Sequence, residues 1–329
     1  MRSISLKNKV VFLALIVFAL FLPTLFQAAG YKYGILICCL VFVNVVAVSG
    51  FDILFGYCGQ ISIGHAAFFA IGAYTSGILH NKTGIPAIIT MLVAASVAAC
   101  VGAVLAYPAS KLMFHFLSLA TMAFGEIVYQ FIVNSPGGIT GNARGLFSAP
   151  INLFGFQLDT NVRFYFFALA CVVVVLGAKY FIVDSKVGRA FVAIRENTHA
   201  ADGMGIDVRK YKIISFAISA FCTGFAGGMY MHFVKYISPE TFTGQQSVTF
   251  IIMLLFGGTA SILGPVIGVV TVLLLTEVLR PLQEYQMLIY GAMLLLVIVV
   301  IPGGVWGTIV STFQKLTQKK VKKGGDGGA

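Results

Sequence analysis

Charged side chains in this chain are concentrated between Lys179 and Lys212, in a sequence that is otherwise strongly apolar. Arg195, His199 and Asp202 recur there at positions i, i+4 and i+7, so a helix over this stretch would present them on one face. Such a row of polar groups can form ion pairs and hydrogen bonds with a complementary protein surface. We interpret the stretch as a docking helix for a cytoplasmic partner; the alternative is a helix face that contacts only water.

A further charged group, Glu126, lies inside the apolar run LATMAFGEIVYQ. A charge at the centre of a bilayer costs about 2.5–3.5 kcal/mol on insertion scales, so an acid at this depth indicates a functional role such as lining a pathway. The alternative is a carboxyl group near the membrane edge that a neighbouring hydroxyl or backbone amide stabilises.

The Gly-rich stretch GYCGQISIGHAAFFAIGAY, residues 56–74, brings polar groups into a predicted membrane segment. Glycine lowers helix stability, and Gln60, Ser62 and His65 add groups that need hydrogen-bond partners. Non-helical backbone at membrane depth is tolerated only where it is buried in protein or lines a water-filled cavity. Two interpretations stay open: these residues line a transport pathway, or they join closely packed helices through interhelical hydrogen bonds.

No motif for catalysis or nucleotide binding occurs in the sequence. GxxxxGK[ST], HExxH and GxSxG are all absent, so we predict neither a catalytic residue nor a phosphate-binding loop. The six Cys residues form no CxxC or Cys/His pattern, which argues against a metal site or a disulfide framework. We therefore expect this chain to bind no cofactor of its own.

The composition that must position these residues is that of an integral membrane protein. Of the 329 residues, 59% are hydrophobic and 10% are charged, and the mean hydropathy is +0.95. Soluble domains carry about 25% charged residues, so the ordinary globular class is excluded. The net charge of +11 does not indicate nucleic-acid binding. The bases cluster at the N-terminus, in the central stretch and in the C-terminal tail, which is the distribution that fixes membrane topology.

About ten apolar segments could cross, or partly cross, the roughly 30 Å hydrocarbon layer. They cover residues 10–27, 34–51, 57–79, 85–107, 112–133, 163–183, 213–236, 247–263, 264–279 and 286–301. The segment 57–79 and the pair that meets at Gly264 and Pro265 are candidates for broken or re-entrant helices. We therefore predict an all-α polytopic membrane protein with roughly eight to ten crossings and one cytoplasmic loop.

The basic residues also predict the orientation. With both termini and residues 184–212 on the cytoplasmic side, most of the 22 basic residues lie there, as the positive-inside rule requires. We predict one transmembrane domain over residues 1–312, followed by a basic, disordered cytoplasmic tail over residues 313–329.

Residues 56–74 resemble the GxxGQxSxGHAAFFxIGAY motif of LivM-type permease subunits of branched-chain amino acid ABC importers. The similarity continues, in family order, through residues 119–127, 139–146, 187–230, 237–242 and 254–268. Chance similarity over that length of chain is excluded.

The resemblance implies a permease that forms a heterodimer with a similar but distinct permease subunit, in the multi-pass manner of the bacterial or archaeal plasma (inner) membrane. It further implies two ATP-binding cassette subunits on the cytoplasmic side, which use ATP–Mg. An extracytoplasmic solute-binding protein would deliver leucine, isoleucine or valine. This chain would then hydrolyse no ATP and bind no nucleic acid, and the lipid bilayer would be its remaining partner.

In this family a short coupling helix with an EAAxxxG pattern enters a groove of the ATPase. Ala200, Ala201 and Gly205 match that spacing, but His199 stands in place of the Glu, so the contact made by that acid is not carried over. The residues expected to couple the permease to the ATPase are Gly188, Arg189, Arg195, Glu196, His199, Ala200, Ala201, Asp202 and Gly205. The residues expected along the translocation pathway are Gln60, Ser62, His65 and Glu126.

Three other functions remain as alternatives. Permeases for urea or short amides share the same motifs, so the substrate is open between these and branched-chain amino acids. A stand-alone channel or secondary transporter would produce flux from this chain alone. A membrane enzyme would require converging catalytic groups, and intramembrane ionisable residues are few.

Overall fold

The computed structural model describes residues 18–27, 30, 32–110, 114–148, 152–153, 156–157, 160–285, 288–292, 295 and 304–307. Three predictions fall wholly or partly on other residues: the start of the segment 10–27, much of the segment 286–301 and the tail 313–329. These parts lie outside the described residues.

Helices dominate the described chain, as apolar runs at membrane depth require, because a helix satisfies its own backbone hydrogen bonds. The helices are α1 (Phe18–Gln27), α2 (Lys32–Asp52), α3 (His65–Thr83), α4 (Ala87–Ala109), α5 (Phe114–Val133), α6 (Asn161–Asp184), α7 (Lys186–Glu196), α8 (Thr198–Gly203), α9 (Val208–Val234), α10 (Gly244–Gly257) and α11 (Gly264–Val278). Within the described residues, five helical segments are long and apolar enough to span a membrane, and α1, α10 and α11 are shorter apolar helices. The prediction of an all-α polytopic membrane protein is confirmed.

Four two-residue strands are the only extended pairs in the described chain. β1 (Leu146–Phe147) pairs antiparallel with β4 (Tyr236–Ile237), and β2 (Asn152–Leu153) pairs antiparallel with β3 (Phe156–Gln157). The β1–β4 pair ties the connection after α5 to the C-terminal end of α9.

Helix α9 lies against α2, α3 and α4, and its glycines set how closely they approach. A Cβ atom on Gly72 of α3 would lie 1.9 Å from the carbonyl oxygen of Gly224, and one on Gly227 would lie 2.0 Å from the carbonyl oxygen of Phe69. The two helix backbones therefore touch, as small residues allow in membrane helix pairs.

The described contacts form two compact units, one within Met1–Phe250 and the other within Ile251–Ala329. In the second unit, non-helical residues 258–263 separate α10 from α11, which begins at Gly264 with Pro265 in its first turn. At 1.5 Å per residue, α10 and α11 are about 21 and 22 Å long, less than the hydrocarbon thickness. The predicted break at this point is confirmed, whereas the prediction of a single domain over residues 1–312 stays a prediction.

Candidate functional site

The Gly-rich stretch is interrupted at membrane depth. Helix α2 continues into a π-helical turn, Ile53–Tyr57, and residues 58–64 are then non-helical until α3 begins at His65. We call residues 58–64 the interrupted segment. It lies beside Ser215 and Ser219 of α9, which are about 10 and 16 Å along that helix from its first residue. Because α9 is about 40 Å long, the interrupted segment lies beside an inner part of α9 and not beside its end. The predicted break in the segment 57–79 is confirmed.

Gln60, Ser62 and His65 are buried, and all three have partners within the chain. Gln60 Nε2 donates to Ser215 Oγ at 2.8 Å. His65 hydrogen-bonds through Nε2 to Ser219 Oγ at 2.7 Å and through Nδ1 to Ser62 Oγ at 2.9 Å. The bonds to Ser215 and Ser219 agree with the packing interpretation, because they join the interrupted segment and the first residue of α3 to α9. A role in lining the pathway stays a prediction.

The charged stretch forms two helices, so the prediction that Arg195, His199 and Asp202 share one helical face is wrong, whereas docking of this stretch to a cytoplasmic partner stays a prediction. Helix α7 ends at Glu196, and Asn197 adopts an extended conformation with φ −158° and ψ 107°. The Asn197 side chain accepts a hydrogen bond from the Ala200 N–H at 3.0 Å and caps α8. Because the chain turns there, Arg195 does not share a helical face with His199 and Asp202.

Arg195 reaches back to the interrupted segment. Its Nη1 donates to the carbonyl oxygen of Gly56, a carbonyl in the π-helical turn. Its Cγ lies 3.0 Å from where a Cβ atom on Gly59 would be, and Gly59 has φ +72°. Both the contact and the backbone conformation require glycine there. Arg195 thus joins the α7–α8 loop directly to the break in the membrane segment.

Helices α6 and α9 include both ends of the predicted loop 184–212, whose cytoplasmic position stays a prediction. Helix α6 runs to Asp184 and α9 begins at Val208, so Lys210 and Lys212 belong to the first turns of a membrane helix. Gly188 is buried at the corner between α6 and α7, where a Cβ atom would lie 2.1 Å from the Val183 carbonyl oxygen.

Most of the other predicted coupling residues, in α7, in α8 and at their ends, are exposed to solvent. Arg189 is exposed and donates to the carbonyl oxygen of Asp184 at 3.0 Å. Ala201 is buried against the rest of the chain, and Met204, at the end of α8, is 81% exposed. The other predicted coupling residues in this part of the loop are exposed: Glu196, His199, Ala200, Asp202 and Gly205. Helix α8 therefore presents a small polar surface with an apolar side chain at its end.

Sequence reasoning missed a buried ion pair. Lys179 is the first base of the charged stretch in the sequence, but it lies in α6 and is 1% exposed. Its Nζ is 2.7 Å from Oδ2 of Asp52, which is 0% exposed at the end of α2. The Lys179 ammonium also lies 5.8 Å from the ring centre of Tyr57. Lys179 is thus a residue of a membrane helix. The sequence indicates this only by its position, four residues before the end of the apolar segment 163–183.

A second missed cluster lies at the opposite end of α9 from α7 and α8. Ser76 Oγ hydrogen-bonds to His232 Nε2 at 2.9 Å and to Thr90 Oγ1 at 3.0 Å, and all three side chains are buried. The His80 ring stacks edge-on against His232 with a centroid distance of 5.0 Å. This cluster joins α3, α4 and α9 where they approach the β1–β4 pair.

Glu126 lies on the exposed face of α5, apart from the buried polar residues of the interrupted segment. Gln130 Nε2 donates to Glu126 Oε1 at 2.9 Å. The structure therefore does not bring Glu126 together with Gln60, Ser62 or His65. The four predicted pathway residues fall into a buried group and an exposed one.

Known proteins resemble the chain over most of its length. The sequence model of the family described as "Branched-chain amino acid transport system / permease component" matches residues 35–298. The "High-affinity branched-chain amino acid transport system permease protein LivM" of Escherichia coli strain K12 is 27% identical over 324 residues, which cover 91% of this chain and 75% of the relative.

Two archaeal relatives, both from Methanocaldococcus jannaschii, are named as probable branched-chain amino acid transport permease proteins. The LivM protein is 25% identical to this chain, and the matched region covers 80% of this chain and 82% of the relative. The LivH protein is 27% identical to this chain, and the matched region covers 71% of this chain and 77% of the relative. No solved structure shows a significant match to this chain.

Proposed function

Because this chain belongs to the family of permease components of branched-chain amino acid transport systems, we propose that it forms one half of the membrane pathway of an ATP-driven importer for leucine, isoleucine and valine. The single observation that carries this proposal is the family match, which extends over the interrupted segment, over α7 and α8, and over the break between α10 and α11. The E. coli relative is named a high-affinity branched-chain amino acid permease, which supports the substrate class.

The partners follow from the same membership. The archaeal relatives include permeases of two kinds, LivM and LivH, which supports pairing of this chain with a second, related permease subunit. Two ATP-binding cassette subunits, which hold ATP–Mg, complete the cytoplasmic side, and a solute-binding protein delivers the amino acid from outside. The complex lies in the plasma membrane, with both termini of this chain in the cytoplasm.

Helix α8 is the part of this chain that contacts the ATPase. It is exposed on the side away from α9, and the Met204 side chain at its end can enter an apolar groove. His199 stands where the EAAxxxG pattern has a Glu, so docking here depends on the alanines, on Met204 and on Asp202 more than on a Glu side chain. The sequence spacing Ala200, Ala201 and Gly205 supports this assignment.

Arg195 transmits motion of the loop to the membrane. Its hydrogen bond to Gly56 and its contact at Gly59 connect α7 to the interrupted segment, which precedes α3. When the ATPase moves α8, the Gly56–Arg195 contact carries that displacement to the break between α2 and α3. Such a device shifts the transport equilibrium only if the contact differs between the two states of the permease.

Reconstitution of the complete complex tests the function. Proteoliposomes that contain this chain, the second permease, the ATPase subunits and the binding protein are loaded with ATP–Mg, and uptake of labelled leucine and of labelled urea is compared. ATP-dependent uptake of leucine and not of urea is expected. Uptake of urea alone would identify the permease of short amides, and flux through this chain without its partners would identify a channel or secondary transporter.

A further inference from the structure

Helix α5 carries a row of polar side chains on a face that this chain leaves exposed. Glu126, Gln130 and Asn134 follow one another at four-residue intervals, and all three are exposed. Gln130 Nε2 donates to Glu126 Oε1 at 2.9 Å, and Asn134 Nδ2 donates to Gln130 Oε1 at 3.3 Å. We call these three residues the α5 polar row. The hydrogen bonds hold their side chains in one line along the helix.

Glu126, the first residue of the α5 polar row, is at membrane depth, and Asn134 directly follows the last residue of α5. Helix α5 is one of the five segments able to span a bilayer, and Glu126 lies about 18 Å from its first residue and about 10 Å from its last. The row runs from there toward the end of α5 that is joined to the β1–β4 region, opposite the α7–α8 loop. A polar row facing hydrocarbon would be costly, so this face meets protein or water in the assembled transporter.

The charge of Glu126 is not neutralised within the described chain. Among the described residues Glu126 forms no ion pair, and its side chain accepts the hydrogen bond from Gln130. The Gln130 amide holds this carboxylate in place at membrane depth. Because the carboxylate has no cation beside it, it can pair with a positively charged group of a ligand.

Apolar side chains accompany the polar row. Met122, one turn before Glu126 on the same face, is 54% exposed, and Ile127 beside it is 66% exposed. Helix α5 thus offers a carboxylate, amide groups and apolar surface within one or two turns. That combination matches a zwitterion with an apolar side chain, and it matches a neutral amide poorly.

We propose that the α5 polar row is a binding site for the transported amino acid, in which Glu126 pairs with the substrate ammonium group. The Gln130 and Asn134 amides donate to the substrate carboxylate, and Met122 and Ile127 contact its apolar side chain. This site rests on the proposed transport function, and it selects α-amino acids over urea and short amides because only the amino acid carries an ammonium group.

Substitution of the carboxylate in the complete reconstituted complex tests the site. Glu126→Gln keeps the hydrogen-bonding shape and removes the charge, so the rate of leucine uptake at saturating binding protein should fall by about tenfold or more. Glu126→Asp should retain an intermediate rate. Complex assembly and ATP hydrolysis should stay at wild-type levels. Glu277→Gln, a partly buried carboxylate beside Arg280 at the end of α11, is the control and should transport as wild type does.

Thiol labelling provides a second measurement that does not depend on transport. Glu126→Cys should react with a positively charged, membrane-impermeant methanethiosulfonate in the assembled complex, above the background of the native cysteines. Val174→Cys, 68% exposed in the middle of α6, should stay unlabelled as a lipid-facing control. If Glu126→Gln fails to assemble, this labelling decides the question.

The outcomes separate the site from the function. Wild-type uptake by Glu126→Gln, or a Glu126→Cys thiol as unreactive as that of Val174→Cys, overturns the site while leaving the transport function in place. An assembled wild-type complex that imports no amino acid overturns the proposed function itself, whatever the labelling shows.

Discussion

Lys179 and Asp52 form a buried ion pair that joins α6 to α2 immediately before the π-helical turn. The Nζ–Oδ2 distance is 2.7 Å, and the two side chains are 1% and 0% exposed. Replacing Lys179 with Met preserves the length of the side chain and removes its charge. The Asp52 carboxylate then stays buried without its cation, which costs about 3–5 kcal/mol for a pair of this kind.

Thermal unfolding of the purified protein in detergent measures that cost. A loss of 3–5 kcal/mol should lower the unfolding temperature by roughly 10 °C. The double variant Asp52→Asn with Lys179→Met removes both charges, so it should be more stable than Lys179→Met alone. The two changes are therefore expected to be strongly non-additive.

The chain contains a matched control for this prediction. Arg280 and Glu277 are 3.5 Å apart and 62% and 35% exposed, so water screens their interaction. Arg280→Met should cost at most about 1 kcal/mol. If Lys179→Met destabilised the protein no more than Arg280→Met does, or if the double variant were no better than the single one, the account of the buried pair would be refuted.

Three further predictions concern contacts of α3 and α7. Arg195→Ala should lower the leucine imported per ATP hydrolysed by about tenfold, because it removes a charged hydrogen bond to the π-helical turn that precedes the interrupted segment. Lys186→Ala, an exposed base in the same helix, should leave that ratio unchanged, and equal ratios for the two variants would contradict the link. Gly72→Ala should lower the unfolding free energy by about 1–3 kcal/mol, because the added Cβ atom would meet the backbone of Gly224. Gly177→Ala, which has open space around it, should be neutral. A neutral Gly72→Ala in a thermal unfolding assay would refute the close packing of α3 and α9. His65→Leu should lower the unfolding temperature by leaving two buried serine hydroxyls unpaired; a loss of transport at wild-type stability would favour pathway lining instead.

The sequence predicts local features well where one segment determines them. Apolar runs predicted the helices because their length is set by the bilayer. Glycine and polar residues predicted the break before α3. In the structure Gly59 takes a positive φ, and Gln60 finds a hydrogen-bond partner that a lipid-facing helix would lack. The sequence also contained a signal for the turn between α7 and α8, because Asn197 is a favoured helix cap. The charge periodicity continues across Asn197 and therefore does not mark the turn.

Contacts between distant segments could not be predicted from the sequence. Lys179 and Asp52 are 127 residues apart, and Arg195 and Gly56 are 139 apart. No local pattern marks either partner, and a lysine near other bases is indistinguishable from a loop residue until the helix that buries it is placed. The same limit applies to Glu126, whose position on an exposed face depends on how α5 packs.

We propose that α8 receives force from an ATPase subunit, and cross-linking from Met204 at the exposed end of α8 tests that contact. A photoreactive amino acid at Met204 is illuminated in the assembled complex, and the attached polypeptide is identified by mass. The account predicts attachment to the ATP-binding subunit, with a yield that changes between nucleotide-free and ATP-bound complexes. Attachment to the extracytoplasmic binding protein, or to no subunit of an assembled and active complex, would contradict it.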